Sequence, residues 1–94
     1  MRLTEKYRES IKRHFTALFD GKIYLFGSRV DDEKRGGDID LYLAVKSKDN
    51  LAKRKIKFLT QLKREIGEQK IDVVFNRDPN RLIEKRAVSE GVEL

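Results

Sequence analysis

Three aspartates and a glycine-serine pair are the residues of this chain best suited to chemistry. Asp38 and Asp40 open the run Asp38-Ile39-Asp40-Leu41, and Asp72 lies within Lys70-Ile71-Asp72-Val73-Val74-Phe75. Upstream, Leu25-Phe26-Gly27-Ser28-Arg29 places Gly27 and Ser28 at the end of another apolar run. Carboxylates set into strand-like segments are costly to desolvate unless a cation gathers them. The combination points to metal-dependent phosphate chemistry. Gly27 lets the backbone approach a phosphate with no Cβ in the way, and Ser28 can offer both N–H and hydroxyl to phosphate oxygens, most readily where a helix starts. Two aspartates at i and i+2 of a strand share a face with their Cα atoms about 7 Å apart. That spacing lets their carboxylates converge on two divalent ions ~3.5–4 Å apart, the geometry of two-metal phosphoryl transfer. In a helix the same Asp-Xaa-Asp would point to different faces, so strand placement is part of the argument.

The metal must be oxygen-ligated. The chain has no cysteine and one histidine, His14, which removes thiolate and histidine-based zinc sites and leaves Mg²⁺ or Mn²⁺. His14 sits on a helix without metal partners at suitable spacing and is expected at the surface. Arg29 is a candidate phosphate contact, although an exposed arginine needs no special role.

These residues have to be positioned by a small number of elements. Leu3, Tyr7, Ile11, Phe15 and Leu18 form one stripe of an amphipathic first helix, with Thr4 able to cap a slightly later start. Asp20-Gly21 breaks it, and Lys22 to Phe26 reads as a strand. Residues 28 to 37 are mostly charged, end in Gly36-Gly37, and read as a loop. The second strand runs from Asp38 to about Val45, with Ile39, Leu41, Leu43 and Val45 on the core face and Asp38, Asp40, Tyr42 and Ala44 on the other. Tyr7, Tyr24 and Tyr42 are most simply packing residues, but Tyr42 shares the aspartates' face and is a candidate lining of a nucleotide pocket. Ser47 to Asn50 supplies capping residues for a helix carrying Leu51, Phe58, Leu59, Leu62 and Ile66 and stopping at Gly67. The third strand is Lys70 to Phe75. Asp78-Pro79 reads as an N-cap and first-turn proline, opening a last helix through Leu82, Ile83, Ala87 and Val88 to Gly91.

The order α-β-β-α-β-α predicts a small three-stranded mixed sheet flanked by helices, an α/β (α+β) fold in one domain spanning 1–94. A strand-helix-strand link of this length is most simply a right-handed parallel crossover. Parallel pairing of the second and third strands brings Asp38, Asp40 and Asp72 to one end of the sheet. The Gly27-Ser28 turn reaches that end only if the first strand runs antiparallel to the second.

At 94 residues, 38% hydrophobic and 40% charged, the chain can hold one thin core under a heavily charged exterior, with little room for a substrate-binding lobe. No run approaches the ~20 apolar residues of a membrane span, and Met1 is not followed by a signal-peptide core, so the expected compartment is the cytoplasm. The net charge of +6 suits an acidic partner, a nucleoside triphosphate or nucleic acid, and is equally that of a solvated lysine-rich surface.

Taken together, Phe26-Gly27-Ser28-Arg29, Asp38-Ile39-Asp40-Leu41 and Ile71-Asp72-Val73-Val74 resemble the signature of the minimal nucleotidyltransferases, members of the DNA polymerase β-like superfamily. The resemblance covers nearly the whole chain, and the combined motif is far more specific than the glycine-serine pair alone. It implies a polymerase β palm-like fold and transfer of AMP from ATP to an acceptor hydroxyl with release of pyrophosphate. It further implies that Asp38 and Asp40 hold both Mg²⁺ ions, Asp72 holds the ion that activates the acceptor, and Gly27 and Ser28 grip the β/γ-phosphates. Many members pair with helical HEPN-type proteins in toxin-antitoxin modules, where the transferase neutralises an RNase toxin by adenylylating a tyrosine. A chain without an acceptor-binding lobe fits a substrate that is itself a protein. Two departures from the family pattern fall in the loop, where the nine residues between Ser28 and Asp38 are one fewer than usual among antitoxins and Gly37 stands where serine is common.

Two other classes of function compete. A non-catalytic interaction module of the same fold would neutralise its partner by covering it, and would keep doing so after loss of Asp38 or Asp40. A small nucleic-acid-binding protein rests on the charge alone and predicts steep salt dependence that ignores Asp38. Nucleic acid is the least supported partner.

Overall fold

Thr4 starts the first helix as its sequence position suggests. Its Oγ1 accepts the Tyr7 N–H at 3.2 Å, and α1 (Glu5–Leu18) follows. The computed structural model describes residues 3–27, 38–67 and 69–94. The remaining elements are β1 (Gly21–Phe26), β2 (Ile39–Val45), α2 (Leu51–Ile66), β3 (Ile71–Phe75), α3 (Leu82–Glu90) and β4 (Val92–Glu93). The sheet order is β3-β2-β1-β4, with β2 and β3 parallel and β1 antiparallel to both β2 and β4. The expected mixed sheet flanked by helices is therefore present, with four strands in place of three. The added strand β4 pairs Tyr24 with Glu93 and Leu25 with Val92, and the Leu94 N–H donates to the Ile23 carbonyl at 2.9 Å.

Alternation in the strands decides which face is covered by which helices. Ile23 and Leu25 of β1, and Ile39, Leu41, Leu43 and Val45 of β2, turn their side chains to one buried layer with Ile11 and Phe15 of α1 and Phe58, Leu62 and Ile66 of α2. Phe19, in the α1–β1 link, sits amid Phe15, Phe58 and Phe75 with ring centroids 5.6–5.8 Å apart. Arg54 of α2 covers that cluster, its guanidinium 5.0 Å from the Phe19 ring and donating to the carbonyls of Leu18, Ser47 and Asp49. A planar five-donor fork suits this combination of stacking and bridging. Asn50 occupies the expected N-cap position of α2, yet its side chain makes no capping bond and its backbone is left-handed, φ 52°. Here Arg54 gathers the turn's carbonyls. His14, expected at the surface, is largely covered and bonds through Nε2 to Glu65 Oε2 at 2.6 Å, joining α1 to α2 beside an Arg13–Glu65 ion pair.

The opposite sheet face carries Tyr24 and Tyr42, ring centroids 5.9 Å apart, and is partly covered by α3. This last helix begins three residues beyond its expected first turn. Asp78 caps a tight turn instead, its Oδ1 accepting the Asn80 N–H at 2.9 Å and its carbonyl accepting the Arg81 N–H at 2.9 Å. The cause lies inside the helix. Glu84, 3% exposed, accepts the backbone N–H groups of Arg77 and Asp78, the Arg81 Nε–H and the Tyr42 hydroxyl at 2.6–3.1 Å. A carboxylate that collects the N–H groups of residues 77 and 78 holds that stretch out of the helix. Of the four apolar residues that mark this helix in the sequence, Ala87 alone is buried, while Leu82, Ile83 and Val88 are 71%, 41% and 54% exposed.

Candidate active site

Parallel pairing of β2 with β3 sets Asp40 directly opposite Asp72, and antiparallel pairing of β1 with β2 sets Phe26 opposite Asp40 on the other side. One transverse row thus reads Phe26, Asp40, Asp72. Asp38 is two residues before Asp40 and on the same face, so the three carboxylates expected to meet do gather at one rim of the sheet. Gly27, the residue after β1, arrives at that rim with φ +79°. A Cβ built on it would overlap Asp40 Oδ2 and lie 3.1 Å from Asp40 Cγ, so the backbone of Gly27 rests directly on the Asp40 carboxylate. A side chain there would have to push the Asp40 carboxylate aside. Ser28 and Arg29, and the loop ending at Gly37, lie outside the described residues.

The electrostatics follow from this crowding. Asp40 is half-buried, and burial raises its pKa above the usual carboxylate range; the charges of Asp72 and Asp38 push in the same direction, as does a hydrogen bond shared with Asp72. Like charges brought together oppose ionisation until positive charge is supplied. Among the described residues the cation within reach is Lys70, whose Nζ lies 3.4 Å from Asp38 Oδ2. Its backbone is tied in as well, because the Ile39 N–H donates to the Lys70 carbonyl at 3.0 Å. Lys70 in turn has its pKa raised, first by its hydrogen bond and charge interaction with Asp38, then by Asp72 and Asp40. Its ammonium therefore stands in for positive charge that the cluster attracts. Among the described residues no three His, Cys, Asp or Glu side chains close into a ready metal cage. The oxygen-only donors Asp40 and Asp72, with Asp38 adjoining but turned to Lys70, nevertheless suit a hard divalent ion such as Mg²⁺.

The family model described as Polymerase beta, Nucleotidyltransferase matches residues 9–94. The chain belongs to that family. Nucleotidyl transfer is accordingly the general activity of this polymerase β-type nucleotidyltransferase domain, a chemistry that typically uses a divalent metal and a nucleoside triphosphate. Comparison with curated proteins yields no significant match. No helix among the described residues is long and apolar enough to cross a membrane.

Two charged side chains near the carboxylate rim escape sequence reasoning. Lys70 is one lysine among many, and only the parallel register places it beside Asp38. Glu84 is buried against Tyr42, whose hydroxyl donates to it at 2.9 Å. Burial and that bond to Glu84 push the Tyr42 pKa up to about 12. Tyr42 is 5% exposed, so it is a packing residue under α3 and not an open wall of a nucleotide pocket. A cavity of about 440 Å³ adjoins the rim, lined by Phe26, Gly27, Leu82, Ile83, Arg86 and Glu90.

Proposed function

We propose that this chain transfers AMP from ATP to a protein hydroxyl, a tyrosine of a HEPN-type helical toxin, and so acts as the antitoxin of a pair. The observation that carries the reading is the juxtaposition of Asp40 with Asp72 across β2 and β3, with the Gly27 backbone seated on Asp40. In the reaction the acceptor hydroxyl gives up its proton to solvent as its oxygen attacks the α-phosphorus, the bond from that phosphorus to the oxygen bridging to the β-phosphate breaks, and pyrophosphate leaves. Asp38 and Asp40 are assigned to holding both Mg²⁺ ions and Asp72 to the ion on the acceptor side. When bound, these ions offset the charge of the triphosphate and make the acceptor hydroxyl more acidic. Gly27 presents backbone to the β/γ-phosphates, since it has no Cβ to stand between that backbone and the rim, and Ser28 is assigned to the same phosphates by its place in the motif.

A protein acceptor is supported by the surface beside the site. Leu82 and Ile83 leave an apolar patch open on α3, contiguous through the cavity with Phe26 and Gly27. Exposed apolar surface next to a reactive rim suits docking of a folded partner better than a small hydrophilic acceptor. One observation favours the competing non-catalytic reading, namely that Asp38 is engaged by Lys70. Incubation with α-labelled ATP, Mg²⁺ and a HEPN-type partner separates the two. Label should pass to the partner and be lost with Asp38→Asn or Asp40→Asn. Retained label in these variants removes the assigned roles, and neutralisation without label selects the binding module.

A further inference from the structure

The Lys70–Asp38 pair has a consequence for how the site fills, on the reading that the three aspartates are metal ligands. Lys70 enters β3 directly beside Asp38, anchored by the bond from the Ile39 N–H to its carbonyl. From there its flexible stem brings the ammonium to 3.4 Å from Asp38 Oδ2. The Lys70 side chain is 71% exposed and that of Asp38 39%, so among the described residues the pair lies outside the core and the ammonium can leave without disturbing it. A divalent ion approaching Asp38 meets a positive charge already in place. A triphosphate, with several negative charges arriving at the same rim from the Gly27 side, offers that ammonium a stronger anion.

We propose that Lys70 is a built-in counter-cation: its ammonium holds Asp38 in the metal-free protein, competes with the divalent ion for that carboxylate, and gives up the position when a nucleoside triphosphate draws it away. Lys70 is thus a positioning residue that couples metal loading to nucleotide arrival. By linkage, whatever factor the nucleotide adds to metal affinity, the metal adds to nucleotide affinity. Without Lys70 the metal binds the empty protein more readily, and the nucleotide adds less.

The test is Mn²⁺ titration, read by the electron paramagnetic resonance of free Mn²⁺, on the full chain with and without a non-cleavable α,β-methylene ATP. Wild type, Lys70→Met, Lys70→Gln, Lys70→Arg and Asp40→Asn are compared at low salt. In the absence of nucleotide, Lys70→Met and Lys70→Gln should bind Mn²⁺ roughly two- to fivefold more tightly than wild type, the scale of one exposed ion pair. Lys70→Arg should match wild type. The tightening caused by the nucleotide analogue should shrink by the same factor in the Met and Gln variants. Raising the salt should narrow all these differences, because exposed charges are screened. If wild type binds Mn²⁺ in an Asp40-dependent manner while Lys70→Met and Lys70→Gln bind equally or less tightly, the counter-cation role is overturned and the metal-site reading stands. If no variant, wild type included, binds Mn²⁺ even with the analogue, both fall.

Discussion

Gly27→Ala and Gly67→Ala form a matched pair that isolates the close approach at the carboxylate rim from ordinary backbone strain. Both glycines have positive φ, +79° at Gly27 and +93° at Gly67. An alanine in such a region costs about 1–3 kcal/mol in the folded state, offset by about 0.4–1 kcal/mol from a less flexible unfolded chain. The net, roughly 1–2 kcal/mol, corresponds in a domain of this size to a fall in Tm of about 4–16 °C. There the likeness ends. A Cβ at Gly67 meets nothing within 4 Å, whereas one at Gly27 overlaps Asp40 Oδ2. The obstructed group is the end of a flexible side chain, so the added cost to stability is small. Asp40 must nevertheless swing off its position opposite Asp72, and displacing a ligand's orientation typically costs roughly tenfold or more in metal affinity. Calorimetry should therefore show similar losses of Tm for the two variants, while Mn²⁺ titration shows a loss of affinity for Gly27→Ala alone. Equal Mn²⁺ affinity in both variants would refute the claim that Gly27 is glycine because Asp40 needs the space.

Two further perturbations test other parts of the architecture. Burial pushes the Glu84 carboxyl up, but its bonds from the Asp78 N–H, Arg81, the Tyr42 hydroxyl and the Arg77 N–H more than offset this and hold its pKa at about 2. A carboxyl depressed on folding contributes stability that is present above the ordinary value of 4.5 and is lost as pH falls from there towards 2. Glu84→Gln should therefore melt lower at neutral pH by about 3 kcal/mol and lack the acid-dependent loss in that window, as read by thermal melts at stepped pH. An acid profile identical to wild type would count against a charged Glu84 at the heart of the α3 turn. Asp40 has the opposite sign. Its raised pKa, caused by burial and then by Asp72 and Asp38, means that the charged form weakens the metal-free fold above its folded pKa and that this penalty is absent below the ordinary value of 3.8. Asp40→Asn should thus raise the metal-free Tm at pH 7 while abolishing Mn²⁺-dependent gain in Tm, and a lower metal-free Tm would contradict the like-charge account.

Much of the fold is legible in residue periodicity. Alternation along residues 38 to 45 assigns the aspartates to one face and Ile39, Leu41, Leu43 and Val45 to the other, because a strand has only two sides. The same reasoning, with a right-handed crossover through α2, brings Asp72 to the rim of Asp38 and Asp40 and requires β1 to be antiparallel. What escapes is whatever depends on side chains meeting across elements. Val92 and Glu93 are too few to show a period, and they become a strand only because β1 presents a free edge. Asp78-Pro79 has the residues of a helix start, but Glu84 captures the N–H groups of Arg77 and Asp78 and delays it. Leu82, Ile83 and Val88 follow a helical pattern that the sheet does not bury.

By itself, then, the sequence determined the order of the first six elements, the two faces of β2 and the shared rim of three carboxylates, since these need only local periodicity and the handedness of short connections. Tertiary structure alone decided that Gly27 lies on Asp40, that Lys70 answers the charge of Asp38, and that Glu84 ties α3 to Tyr42. Those contacts depend on register and on the reach of particular side chains, quantities that exist only once distant strands and helices have been brought within a few ångströms of one another.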